Sequence, residues 1–246
     1  MEKLRSSTPS RSTQDDFHAL VSDTFDTVCD NKVKLGGTYR QDCRARDGHK
    51  YVCVDEDFME DVRRGRCLIY SFGLGKDWTF EQVAAELGCT IHAYDPTNNV
   101  RWPTKPISKN IIVHKIGITD KPRQNKKDYL TLENILEKNG HLDAKITYMK
   151  MDVEKMELPG LPVWIASGVL KNVQQIAFEV HLDKGLSETK EFFGIFKDLH
   201  LNTKFRIFNY DANTCWKNIN HRKKYQYYHL FEMVLKKVDP LTPCLL

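Results

Sequence analysis

No apolar run in the chain approaches the roughly 20 residues that cross a bilayer. The polar start MEKLRSSTPSRSTQDD likewise has no apolar core of a signal peptide. A spanning helix is therefore not expected, and the address is cytoplasmic if the chain is complete. The seven cysteines show neither CxxC nor His/Cys metal spacing, so no metal centre is expected. Arrays of interleaved basic and aromatic residues are missing, and the net charge of +4 comes from interspersed charges. That balance gives no case for a nucleic-acid partner. Internal repeats are absent too. What remains at 246 residues, 41% of them hydrophobic, is enough to bury a sizeable core.

The most organised stretch is Cys67 to Asp95, CLIYSFGLGKDWTFEQVAAELGCTIHAYD. Leu68, Ile69, Tyr70 and Phe72 read as a strand buried on both faces, stopped by Gly73 and Gly75. Thr79 and Gln82 have capping-box spacing for a following helix, and Gly88 can end it. A second strand, Thr90 to Tyr94, then delivers Asp95 to its carboxyl end. In an open parallel sheet that edge binds ligands, and an acid about 20 residues past a glycine turn suits ribose hydroxyls.

In chain order, residues 1–13 read as a disordered tail and residues 14–62 as a helical and loop-rich cap. An amphipathic helix from Thr13 would carry Phe17, Leu20, Val21 and Val28 on one face. Gly36 and Gly37 break that pattern, and the stretch to Asp61 reads as charged loop with one short strand at Tyr51 to Val54. Its basic residues Lys32, Lys34, Arg40, Arg44, Arg46 and Lys50 could line an anionic substrate's mouth, but solvated surface is the preferred reading. Residues 63–240 form the main domain. Further strands are expected at Ile111 to Ile116, Ile146 to Met151 and Gln174 to His181, and helices at Thr131 to Lys138, Val163 to Leu170 and Ser187 to His200. Lys204 to Asn209 and Gln226 to Leu235 would close the domain as an antiparallel pair. The fold class is α/β: a Rossmann-like, seven-stranded, mostly parallel sheet with a C-terminal antiparallel hairpin and helices on both faces.

Cys67 and Cys89 each lie six residues before a strand-end feature, at the edge away from the ligand, and are expected as two buried thiols rather than a disulfide. Cys29, Cys43 and Cys53 crowd a loop-rich segment where disulfides make more sense, which would imply an oxidising compartment. The odd count leaves at least one thiol free, most simply Cys244.

A dinucleotide fingerprint needs a third glycine where this chain has Trp78, so NAD or FAD is disfavoured. The blocks CLIYSFGLGKDWTFE, GCTIHAYDPT, TLENILEKNG, ITYMKMDVEKME and IAFEVHL resemble class I S-adenosylmethionine-dependent methyltransferases. More narrowly, they resemble the methyltransferase-like 24 group and the FkbM-type enzymes, over about residues 29 to 236. The FkbM-type pattern Asp-x-Glu-Gly-x-Glu is met at Asp152 and Glu154, with departures at Lys155 and in the spacing of Glu157. A second departure is Ser71, where class I enzymes often carry an acid.

The resemblance implies S-adenosyl-L-methionine as cofactor. Ser71, Gly73 and Gly75 would line its methionine end, Asp95 would hold the ribose and Pro96 would shape the next turn. Ile118 and Thr119 would lie near the adenine, with Asp120 meeting its amine. It also implies a secreted or lumenal setting if a leader is missing. For chemistry, Asp152, Glu154, Glu179 and His181 all fall at the ends of the fourth and fifth strands. Asp152 is the first choice for a base or acceptor-orienting group and Glu154 the second. No Asn-Pro-Pro-aromatic or Asp-Pro-Pro-Tyr tetrapeptide follows strand four, which argues against base amino methylation. Oxygen of a small molecule or glycan is the expected acceptor. The alternative is a catalytically silent binding or regulatory domain, motivated by Ser71 and Lys155.

Overall fold

The computed structural model describes residues 28–97, 108–123, 126–181, 186–213, 217–220, 225–228 and 230–238. The expected tail and the helix from Thr13 lie outside these residues, apart from Val28, which packs against the core.

Four short strands open the described chain: β1 (Lys32–Leu35), β2 (Thr38–Arg40), β3 (Ala45–Asp47) and β4 (Lys50–Cys53). They pair antiparallel as β1 with β4 and β2 with β3. The stretch expected as loop up to Asp61 is instead helix α1 (Glu56–Arg63). Its charges hide a short apolar stripe in which Phe58 is buried and Met59 and Val62 pack on the core.

The main sheet uses β5 (Leu68–Phe72), β6 (Thr90–Tyr94), β7 (Ile111–His114), β10 (Tyr148–Met151), β11 (Gln175–His181), β12 (Phe205–Ala212) and β15 (Leu230–Lys237), in the order β12-β15-β11-β10-β5-β6-β7. Strands β11 through β7 run parallel, and β15 runs antiparallel between β11 and β12. The chain thus starts in the middle at β5, builds outward through β6 and β7, then crosses to β10. The crevice between β5 and β10 is the point where strand order reverses, the place where open sheets of this kind bind ligands. Two small pairs stand apart, β8 (Gly117–Thr119) with β9 (Tyr129–Thr131), and β13 (Lys217–Asn220) with β14 (Tyr225–Tyr228). The second pair extends the connection between β12 and β15.

Alternation along the strands divides the core. Tyr70, Phe72, Met149, Met151, Ile176 and Phe178 point to the face covered by α3 (Leu132–Lys138), α4 (Glu157–Ala166) and α5 (Leu186–Asn202). Ile69, Ile91, Tyr148 and Ala177 point to the other, where α1, α2 (Thr79–Glu86) and the N-terminal strands share one apolar cluster. The N-terminal segment sits tightly on α2. Gly36 has φ +67°, and a Cβ there would come within 2.3 Å of the Phe80 backbone nitrogen. The Gly37 N–H donates to Thr79 Oγ1 at 2.6 Å.

Three local expectations change. Thr79 does not cap α2, because its hydroxyl is engaged with Gly37 while Asp77 Oδ1 accepts from the Thr79 N–H at 2.9 Å. The helix expected at Val163 to Leu170 begins earlier, at Glu157, and takes in both prolines. Pro159 falls among the first N–H groups, which lack intrahelical partners in any helix. Cys67 and Cys89 are not free thiols but a disulfide. Register pairs Leu68 with Thr90, so the preceding cysteines face each other with Cα atoms 4.6 Å apart, inside bridging range. Cys29 and Cys53 are also joined, and Cys43 is disulfide-bonded.

The Cys67–Cys89 bridge closes a loop over a separation of 22 residues. Replacing both cysteines with serine is expected to lower unfolding free energy by about 3 kcal/mol in urea titrations. A loss under about 1 kcal/mol would mean the bridge does not constrain the chain.

Candidate active site

The β5–β10 crevice opens into a cavity of about 770 Å³. One wall is the turn after β5. Gly73 has φ +83°, and a Cβ on it would lie 1.7 Å from the Asp152 carbonyl oxygen, so only glycine lets the turn pass the end of β10. Gly75 also has positive φ and opens onto free space. Asp95, at the end of β6, reaches back under this turn. Its Oδ2 accepts from the N–H groups of Leu74 (2.9 Å) and Gly75 (3.3 Å), and its Oδ1 from the N–H (2.8 Å) and hydroxyl (2.7 Å) of Thr97. About four acceptor positions exist on a carboxylate, and all are in use. Asp95 therefore holds the glycine turn in shape, and a ribose would have to exchange with one of these bonds.

Ser71 lies beneath the cavity rather than in its wall. It is fully buried and donates to Glu81 Oε1 of α2 at 2.6 Å. Lys150 of β10 donates to the same oxygen at 3.3 Å and to the Gly73 carbonyl at 2.7 Å. An acid thus stands under the turn after all, supplied by the helix instead of the strand. Pro96 packs beside Gly117, away from the cavity. Ile118 and Thr119 are buried outside it, and the Thr119 hydroxyl donates to Asp120 at 3.1 Å. Gly73, Gly75, Asp95, Asp152 and Glu154 meet around one cavity; Ser71, Pro96, Ile118, Thr119 and Asp120 do not line it.

The opposite wall carries a charge cluster. Lys50 of β4 is 1% exposed, touches Glu232 Oε1 of β15 and lies 3.7 Å from Asp152 Oδ2. Glu179 of β11 hydrogen-bonds Asp152. Burial opposes the charge of Asp152, yet Lys50, Lys150 and the bond from Glu179 hold its carboxyl below the usual carboxylate range. Burial, with the charges of Asp152 and Glu232, pushes Glu179 well up, so Glu179 keeps a proton at neutral pH and donates it to Asp152. His181 Nε2 stands 3.5 Å from Glu179 and 4.0 Å from the exposed Glu154. Lys50, buried behind the cavity wall, reverses the expectation of a solvated basic surface, and Arg40 lines the cavity, paired with Asp47 at 3.0 Å.

The turn after β10 is strained. Glu154 and Lys155 have φ of 52° and 76°, the left-handed region that disfavours side chains. The FkbM-type pattern carries glycine where this chain has Lys155. Glu157, two residues on, is fully buried. Its Oε1 accepts from the Val153 N–H at 2.9 Å, and its Oε2 has no partner among the described residues.

Sequence reading named Lys50 but preferred it as solvated surface, and it missed Lys150, Glu81 and Glu232. A signal existed for two of them: Lys150 in YMKM and Glu232 in LFEMVL are charges inside otherwise apolar strands, and such charges survive only when paired. Among the described residues, the cluster with metal-ligand proximity is Cys29, Cys53 and Asp55, whose sulfurs are joined to each other and are not thiolates. No helix of the described residues is long and apolar enough to cross a membrane.

Burial, reinforced by Asp152, raises the Glu157 carboxyl to about 8. The folded state then keeps a proton that the unfolded chain releases above about 4.3, so this group makes stability fall as pH rises from there to about 8. The slope is about 1.4 kcal/mol per pH unit for one proton. Urea titrations across this window should show Glu157→Gln losing that decline relative to the parent; parallel pH profiles would contradict the assignment.

A methyltransferase-domain family model matches residues 6–229. "Probable methyltransferase-like protein 24" of Homo sapiens is 33% identical over 144 residues, covering 53% of this chain and 37% of that protein. Its Rattus norvegicus counterpart is 34% identical over 144 residues, covering 53% and 38%. The match thus spans well under half the length of these relatives. Among solved structures, the METTL16 methyltransferase domain aligns with 75% of this chain and 65% of its own, at 10% identity and TM-score 0.41. With the family model covering most of the sequence and the seven-stranded sheet in place, the chain belongs to the methyltransferase-domain family, with class I, Rossmann-like architecture.

Proposed function

We propose that the chain transfers a methyl group from S-adenosyl-L-methionine to a hydroxyl oxygen of a small molecule or glycan. The observation that carries this reading is the cavity at the β5–β10 switch point, with the Gly73–Gly75 turn and Asp95 on one side and the Asp152–Glu179 pair on the other. Its described walls hold Asp47, Asp77, Asp95, Asp152, Glu154 and Glu179 against Arg40, Lys76 and Lys150. An acidic excess suits a sulfonium cation and opposes a polyanionic ligand. A dinucleotide is opposed more directly. The α2 N-terminus, where a pyrophosphate would sit, is already occupied by the Asp77 carboxylate.

The Gly73 turn fits the cofactor because the backbone there is bare, and Asp95 keeps that turn open. The cofactor supplies an electrophilic methyl on sulfur. The chain's part is positioning, which dominates an in-line displacement. Asp152, kept ionised, can accept the hydrogen of an acceptor hydroxyl and take its proton as the oxygen attacks. Glu179 and His181, aligned beside it, offer that proton a way toward the exposed Glu154. Two disulfides and a third bonded cysteine fit folding in an oxidising compartment.

Calorimetry with S-adenosylhomocysteine tests the reading. One site per chain is expected, weakened at least about tenfold, or ~1.4 kcal/mol, by Gly73→Ala. Asp152→Asn is expected to keep that affinity while abolishing turnover on any acceptor found; retained turnover would remove Asp152 from the mechanism. Absence of binding heat in the intact protein would favour a silent domain.

A further inference from the structure

Beside the large cavity lies a smaller one of about 140 Å³, between the β2–β3 hairpin and the ends of β12 and β15. The two share Asp47, Gly48 and Asn213 in their walls, so they adjoin. By the ~10–15 Å³ that one water needs, the space holds several waters. It is large enough for a hydroxyl-bearing group of a ligand whose remainder occupies the main cavity.

Two of its walls present buried acceptors with nothing to accept from. His49 is 9% exposed, and its Nε2 meets Asp211 Oδ2 at 2.7 Å. In the neutral ring a carboxylate partner selects the tautomer with the proton on Nε2, which leaves Nδ1 as a lone-pair acceptor. Nδ1 has no hydrogen-bond partner among the described residues. Glu232 is 8% exposed and commits Oε1 to Lys50, and its Oε2 also has no such partner. A buried polar atom without a partner costs about 1–3 kcal/mol, so two in one small cavity call for hydrogen-bond donors there.

Charge narrows the ligand further. Lys34 and Arg46 line the cavity together with Asp47, Asp211 and Glu232. Lys34 pairs with Asp211 at 3.2 Å, and Asp47 with Arg40 at 3.0 Å. An added anion would face three carboxylates, and an added cation would face Lys34, Arg46 and the Lys50 ammonium behind Glu232. The donors must therefore come from an uncharged group.

We infer that this cavity is an acceptor subsite for a neutral polyhydroxyl group, held by two hydroxyls that donate to His49 Nδ1 and Glu232 Oε2. The inference rests on the methyltransferase reading and deepens it. One part of the acceptor would be anchored between the hairpin and the sheet, and the hydroxyl to be methylated would reach Asp152. The N-terminal segment would then select the acceptor, while the glycine turn holds the methyl donor.

The test uses the full chain saturated with S-adenosylhomocysteine, with histidines labelled with nitrogen-15, titrated with a panel of neutral methyl hexopyranosides. At least one glycoside is expected to shift the His49 ring nitrogens saturably, while inorganic phosphate and ethylammonium leave them unmoved. His49→Phe, read by glycoside calorimetry, should weaken that binding about tenfold with S-adenosylhomocysteine affinity unchanged. Asp211→Asn, which frees the tautomer without removing the ring, should do the same and serves if His49→Phe does not fold. S-adenosylhomocysteine binding with no response to any glycoside, or an equal response to the charged probes, would overturn the subsite. A glycoside response without S-adenosylhomocysteine binding would instead overturn the methyltransferase reading and leave the subsite standing.

Discussion

The buried ammonium of Lys50 organises the edge of the sheet where the cavity lies. The carboxyl ends of β10 and β11 and the facing start of β15 bring Asp152, Glu179 and Glu232 together, and three like charges cannot all persist in a space shielded from water. Lys50 enters from β4, which is outside the main sheet, and contacts or nears all three. Its presence decides which group is ionised: Asp152 keeps its charge and Glu179 keeps a proton. Removing one partner from such a cluster typically costs about 3–5 kcal/mol. The N-terminal strands therefore carry part of this charge cluster.

The same segment is locked to the other wall. Gly36 and Gly37 seat it on the first turn of α2, directly beside the glycine turn. Asp77 accepts from the Thr79 N–H at the start of that helix, and Asp95 ties the turn to the end of β6. Asp77 and Asp95, on this side of the cavity, are thus both engaged with backbone N–H groups.

Much of the sheet was legible because its strands are buried on both faces and read as apolar runs bounded by glycine and acid. β5, β6, β10 and β11 follow from that pattern, and the antiparallel closure by β12 and β15 from a connection with too little helical sequence for a parallel crossover. Gly73 and Asp152 were legible for the same reason, as the residues at which such runs end. The rest depended on contacts between distant segments. Lys50 looked like one more member of a basic loop, since only tertiary pairing with Glu232 distinguishes it from Lys32 or Arg44. Cys67 and Cys89 were placed at the correct edge, but whether neighbouring cysteines join depends on a Cα separation that sequence spacing does not encode. Ser71 marked a missing acid, and Glu81, ten residues on in the first turn of α2, fills the same space from another direction. α1 was hidden because its apolar stripe is only three residues wide among charges.

The effect of a lysine from outside the sheet on the protonation of Asp152 and Glu179 is open to direct measurement. Carbon-13 carboxyl resonances of Asp152 and Glu179 can be titrated in the parent protein and in Lys50→Met, with Lys50→Arg as the conservative control. Asp152 should titrate below the ordinary aspartate range in the parent, rise in Lys50→Met and return in Lys50→Arg. An Asp152 titration that is the same in all three proteins would contradict the account.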